Sequence, residues 1–316
     1  MSRVAAKVLT AVLAAVVRTS GAAAEEPPQE AERRATDAIE PSADLSAWTS
    51  LRIGVVDAPY PSATLGEVRS EAGQARLLRF GAAARVAPKV QVGAHAAYVF
   101  AGVEQPAGSY RAGSAWGNPM LFAMLSGADL SERIGSKLDG DLSLSIGVPV
   151  AAERGPRYEQ LDRRTLAIGG ALEGWVNPEI YTPNVLPIAL GGTLFLPRDY
   201  FQLQLGLELP LLVRLSEDTV PNGASTSAIG FIPNGELRVT TWPWHWLGLS
   251  LGSTVAWPIA QPVYLSSRRT AAQAMLTPRV LFALGGEALM SLDVAVAAGG
   301  PASGTASAAL SARMGL

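Results

Sequence analysis

No cysteine occurs anywhere in the 316 residues, which excludes disulfides, thiolate metal sites and a cysteine nucleophile. Histidine is nearly absent as well, with only His95 and His245. Neither accompanies a GxSxG elbow, an HExxH helix or a metal-spaced His/Asp cluster, so the sequence gives a hydrolase no recognisable base. Charged residues make up 16%, against about 25% in ordinary soluble domains. The net charge is −2 and the basic residues are scattered, which gives nucleic acid no footprint. Glycine pairs at 191–192, 285–286 and 299–300 precede no helix and there is no P-loop, so no phosphate-binding turn or cofactor is expected. After residue 24 no apolar run approaches the roughly 20 residues that a membrane-crossing helix needs.

What the chain does have is a two-residue alternation recurring in segments of about ten residues. From 201 to 214, Phe201, Leu203, Leu205, Leu207, Leu209, Leu211 and Val213 fall on one side of an extended strand, opposite Gln202, Gln204, Gly206, Glu208, Pro210 and Arg214. From 140 to 150, Leu142, Leu144, Ile146, Val148 and Val150 stand opposite Asp141, Ser143, Ser145, Gly147 and Pro149. Aliphatic residues on one face and small polar ones on the other suit a strand with lipid outside and a watery lumen inside. Residues 1–24 read as a secretory signal, with Arg3 and Lys7, the apolar run Val8 to Val17, and Ala22-Ala23-Ala24. Residues 25–50 are rich in Pro, Glu, Arg and Ala and read as a disordered periplasmic leader.

The fold class expected for 51–316 is all-β, a closed antiparallel transmembrane barrel. Twelve strands are expected at 51–57, 74–86, 89–103, 116–127, 138–152, 185–197, 199–214, 226–241, 245–258, 275–286, 288–298 and 305–316. Short links at 87–88, 197–198, 242–244 and near 287 then fall at one end, and long links at 58–73, 104–115, 153–184, 216–225 and 259–274 at the other. That is the asymmetry of outer-membrane barrels. The link at 128–137 is longer than this pattern wants, 299–304 is shorter, and the shortness of 51–57 leaves a ten-stranded barrel open. Trp242, Trp244, Trp246, Tyr200 and Phe201 near two short links, with Trp257 and Tyr264 opposite, suit interfacial girdles.

Within 153–184, Leu161, Thr165, Ile168, Leu172 and Trp175 recur at helical spacing. This predicts a short helix folding inward as a constriction, with Tyr158, Arg163, Arg164, Glu173 and Trp175 as its functional candidates. The strand register turns Arg79, Arg85, Lys89, Gln91, His95, Asp141, Ser143, Gln202, Gln204, Glu208, Arg214, Glu236, Arg238, Arg279, Asp293 and Arg313 toward the lumen. Buried charge is expensive unless paired or wet, so these residues either line a water path or pair across the interior. Both signs are present, and strong ion selectivity is not expected. His95 reads as a lumen hydrogen-bonding residue and His245 as an interfacial one.

From 51 to 316 the chain resembles Gram-negative outer-membrane β-barrels. Within that class, Gly117-Asn118-Pro119 before an apolar strand, Gly140-Asp141-Leu142-Ser143-Leu144, and Val148-Pro149 resemble transporter-type barrels related to aromatic-compound and hydrophobic-solute uptake proteins. The resemblance implies passive uptake of small solutes across the outer membrane after export through the Sec pathway. It also implies the lipid bilayer, lipopolysaccharide and the barrel-assembly machinery as partners. Such barrels commonly end on an aromatic residue, whereas this chain ends Arg313-Met314-Gly315-Leu316. A non-conducting structural or adhesion barrel is the second reading, and a soluble periplasmic sandwich the third.

Overall fold

The computed structural model describes residues 45–61, 68–104, 110–126, 139–151, 159–198, 200–215, 228–260, 272–285, 288–300 and 304–315. Fourteen β-segments and two helices follow in order. The segments are Leu45–Pro61 (β1), Val68–Ala87 (β2), Val90–Glu104 (β3), Tyr110–Trp116 (β4), Met120–Leu125 (β5), Asp139–Gly147 (β6), Val185–Pro197 (β7), Gln202–Arg214 (β8), Ile229–Phe231 (β9), Asn234–Trp244 (β10), Leu247–Ala256 (β11), Gln273–Gly285 (β12), Ala288–Gly299 (β13) and Ala306–Gly315 (β14). The helices are Glu159–Leu172 (α1) and Pro178–Tyr181 (α2), both between β6 and β7.

Every pairing is antiparallel and joins neighbours around a ring. β4 and β5 both pair with β3, and β9 and β10 both pair with β8, so each couple is one interrupted barrel strand. The barrel therefore has twelve strands, closed where β14 meets β1 from Ser46↔Gly315 to Val55↔Ala306. Closure leaves no free sheet edge at this seam, which a barrel in hydrocarbon requires.

The alternation is the physical reason for the cylinder. Leu51, Ile53, Val55, Leu142, Leu144, Ile146, Leu205, Leu207, Leu237, Leu292 and Leu310 all stand exposed on the outer face. Leu207 keeps 55% of its surface open in mid-strand, a continuous apolar band that water would not tolerate and lipid would. Across the wall, the alternate residues Ser46, Gln91, Gln202, Arg238, Ser250, Asp293 and Ser307 are buried.

Several boundaries differ from those that periodicity suggests. β1 is longer than 51–57 and starts at Leu45, inside the segment read as leader, because Leu45 continues the outward stripe and Ser46 the inward one and both pair with β2. The strand expected at 116–127 is broken at Gly117–Pro119. There, Tyr98↔Trp116 and His95↔Met120 set three steps along β3 against four on its partner. The extra residue is a β-bulge, and it moves the inward face from Gly113 and Ala115 to Met120, Phe122 and Met124. The strand expected at 226–241 is likewise interrupted at Ile232-Pro233, and β10 then runs through Trp242-Pro243-Trp244 to a turn at His245-Trp246. β6 ends at Gly147, short of 152. Of the aromatic residues, Trp244 and Trp246 stack at 6.1 Å at the rim, whereas Trp242 turns inward over Gly248. Tyr264 lies outside the described residues.

Candidate functional site: a helical hairpin within the lumen

Among the described side chains of α1, Leu161, Asp162, Thr165, Leu166, Ile168, Ala171 and Leu172 are buried. A helix that buries so much of its described surface belongs inside something, and here it is inside the barrel. It packs with Val56, Ala75, Leu77, Val99, Ala101 and Met120 from the inward faces of β1, β2, β3 and β5. Glycines allow the approach. A Cβ on Gly54 of β1 would sit 2.7 Å from Leu172, one on Gly113 of β4 would sit 2.2 Å from Thr165 Oγ1, and one on Gly169 of the helix 2.7 Å from Val99.

The helix stops at a reversal built on two positive φ angles, 66° at Gly174 and 59° at Trp175. The Trp175 N–H donates to the Gly170 carbonyl at 2.8 Å, closing the last turn. This places Gly174 against Met275 of β12 on the far wall and the Trp175 ring between the α1 core and the cluster of Val185, Leu212, Ile232 and Ala256. The hairpin thus reaches from one side of the lumen to the other.

Polar contacts fix it there. Arg79 of β2 donates to Glu173 Oε1 at 3.0 Å and Oε2 at 3.2 Å, while Tyr181 Oη and Asn177 Nδ2 donate to the same carboxylate at 2.9 and 3.0 Å. Asn234 of β10 donates to the Val176 carbonyl at 2.6 Å, and Ser307 of β14 to the Leu172 carbonyl at 3.3 Å. Asn118, at the bulge, donates to the Glu179 and Thr182 carbonyls at 2.9 and 2.8 Å and accepts from the Ala151 N–H at 2.9 Å. Its own N–H donates to the Ile180 carbonyl at 2.8 Å, so one side chain and its backbone clamp both ends of α2.

The hairpin belongs to a link, not to a membrane-crossing strand, and its acids are strongly perturbed. Burial alone would raise the Glu173 carboxyl, but the Arg79 and Arg52 guanidiniums and the hydrogen bonds from Tyr181 and Arg79 outweigh it and hold Glu173 below the usual range. Glu179 is the opposite case. Burial, reinforced by the Glu208 carboxylate, pushes it well above the usual range. Burial and the Glu173 carboxylate likewise raise the Tyr181 hydroxyl, keeping it a donor.

Beyond the hairpin the interior charges pair along the wall. Arg238 donates to Glu236 at 2.7 Å, to Ser250 and to Thr277 at 3.2 Å each. Arg279 pairs with Asp293, which also accepts from Ser291 at 3.1 Å. The structure puts Arg79, Arg85, Gln91, His95, Asp141, Ser143, Gln202, Gln204, Glu208, Arg214, Glu236, Arg238, Arg279, Asp293 and Arg313 on the interior register. Lys89 differs: it lies exposed in the β2–β3 turn. Of these residues, Arg79 joins the hairpin site directly and Glu208 through Asn234. His95 lies 6.1 Å from the Phe122 ring, and a Cβ on Gly93 would sit 2.5 Å from Phe122 and one on Gly81 2.3 Å from Trp48. His245 sits in the β10–β11 turn. Among the constriction candidates Glu173 and Trp175 are central. Arg163 and Arg164 lie within α1 but their side chains are outside the described set, as is Tyr158. The sequence reading missed Asn118 as a clamp, and Asn177, Glu179, Tyr181 and Asn234 altogether. The Asn177-Pro178 pair, a turn signal ahead of α2, is the one local cue that could have found part of it.

The architecture has known counterparts. An outer-membrane channel from Pseudomonas putida F1 superposes with a TM-score of 0.55 at 10% identity, covering 86% of this chain and 95% of that one. The fold is that of an outer-membrane β-barrel. The NanC porin aligns over 85% of this chain and 100% of its own at 7% identity and TM-score 0.48. The β domain of the Bordetella autotransporter BrkA aligns over 86% and 100% at 13% identity and TM-score 0.46. The sequence matches no protein-family model, and no curated protein matches it.

Proposed function

We propose that this barrel is an outer-membrane channel or transporter for small solutes, closed at rest by the hairpin from Glu159 to Thr182. The end holding Leu45 and Gly315 faces the periplasm, the long links face outward, and residues 1–24 direct export. The observation that carries this reading is that the lumen is filled by a separate element. Barrels of eight strands can be filled by wall side chains, whereas twelve leave a wider interior. Here that space is taken by a hairpin held through apolar packing, hydrogen bonds and the Arg79–Glu173 ion pair rather than by a strand ladder, so it can release without opening a strand pairing. With its own charges paired along the wall, the interior favours small neutral or weakly charged solutes over strong ion selection.

Planar-bilayer recordings test the reading. The native protein is expected to show small or rare conductance, and a variant with 159–182 replaced by a short Gly/Ser linker a large, steady one. Absence of conductance in a correctly folded deletion variant would instead support a non-conducting structural barrel.

A further inference from the structure

Glu179 is the least comfortable side chain in the hairpin. Its residue is 2% exposed, and its Oε2 is buried with no hydrogen-bond partner among the described residues. Apart from burial, the strongest influence on it is another acid, Glu208 on β8. Glu208 Oε2 accepts from Asn234 at 3.4 Å, and the same Asn234 amide donates to the Val176 carbonyl of the hairpin at 2.6 Å. One wall amide thus bridges the hairpin backbone and the Glu208 carboxyl, and the buried Glu179 carboxyl lies close enough to feel the Glu208 charge. The other charged groups acting on Glu179 are Arg79 from β2 and Glu173 from the hairpin itself, and Arg79 is already engaged by Glu173. The cation nearest to compensating the pair is therefore occupied.

We propose that Glu179 and Glu208 form a proton-operated latch: the hairpin stays seated while the pair holds a proton, and is repelled from the wall when both carboxyls ionise. A protonated Glu179 carboxyl is neutral and removes the repulsion between two buried acids, whereas two anions at low dielectric repel. The direction follows from linkage. The seated state keeps Glu179 protonated further up the pH scale than the released, water-exposed state does, so seating is favoured below the released-state value and is lost as pH rises through the seated one. Glu173 has the opposite sign. Arg79 holds it ionised, so its contribution is lost only in acid, below the range in which the latch works.

The latch rests on the proposed occlusion but can be read without a current. Because the native chain has no cysteine, Val176→Cys provides a single thiol on the hairpin, and its maleimide labelling rate in detergent reports release. Between about pH 5 and about pH 9 the rate, divided by that of the same cysteine in a Glu179→Gln background to cancel thiol ionisation, should rise by about tenfold or more. Glu208→Gln should flatten the profile in the same way, and keeps the test open if Glu179→Gln does not assemble. Bilayer conductance of the cysteine-free protein should rise over the same range. A labelling ratio that is flat with pH overturns the latch. A pH-dependent ratio without any conductance leaves the latch standing and overturns the channel.

Discussion

At the scale of the residue, the hairpin is held by a few polar side chains whose loss should be felt separately. Asn118 makes three side-chain hydrogen bonds, to Glu179, Thr182 and Ala151, two of them fully buried. Asn118→Leu removes all three and strands two carbonyls, a cost on the order of 3 kcal/mol. The urea-unfolding midpoint in detergent should fall accordingly, and Asn118→Asp, which keeps the acceptor but turns a carboxylate oxygen toward both carbonyls, should be no milder. Residues of this kind were partly legible. The sequence reading sets Gly117-Asn118-Pro119 before an apolar strand, and β5 does start at Met120, but the partners of Asn118 lie more than thirty positions away and no local pattern announces them. The Arg79–Glu173 pair shows the same limit. Periodicity turns Arg79 inward and marks Glu173 in the constriction loop, yet their meeting across 94 positions depends on how a link folds, which alternation does not encode.

Elements were more legible than their interruptions. The helical spacing of Leu161, Thr165, Ile168 and Leu172 foretells α1, because residues three and four apart share one face of a helix. The single turn of α2 is too short to have a period at all. The breaks at Gly117–Pro119 and at Pro233 stayed hidden for a related reason: the segments beside them still alternate, and only pairing with β3 and β8 shows that one residue has been inserted in the first case and a proline accommodated in the second. Fit between elements gives a direct prediction. Since even a Cβ on Gly113 would meet Thr165 Oγ1 at 2.2 Å, Gly113→Leu should expel the N-terminal half of α1 while the β3–β4 ladder survives. Native-like heat-modifiable gel mobility together with faster proteolysis within α1 is the expected outcome. Unchanged protease resistance would mean that the helix does not pack where β4 faces it.

For the whole molecule, the barrel follows from the sign of one alternation carried around twelve strands. It was readable because lipid outside and polar residues inside leave the two faces of most strands chemically marked, whereas the filling of the lumen was readable only as an inward-folding loop. The outward face should therefore resist charge far more than the inward one. Leu207→Arg, in the middle of β8 and directed at lipid, is expected to cost about 2–4 kcal/mol in refolding into lipid vesicles. Gln204→Arg, three positions away on the lumen side, should cost clearly less.

The central claim, that a hairpin seated across the lumen closes a transmembrane barrel, is tested most directly by locking it. Leu172 and Ser307 meet where the Ser307 hydroxyl reaches the Leu172 carbonyl at 3.3 Å, and the native chain supplies no competing thiol. In the Leu172→Cys/Ser307→Cys protein reconstituted in a planar bilayer, oxidation should form an intramolecular disulfide and abolish conductance, and reduction should restore it. Conductance that persists unchanged after complete cross-linking would show that solutes pass elsewhere and that the hairpin is not what closes the pore.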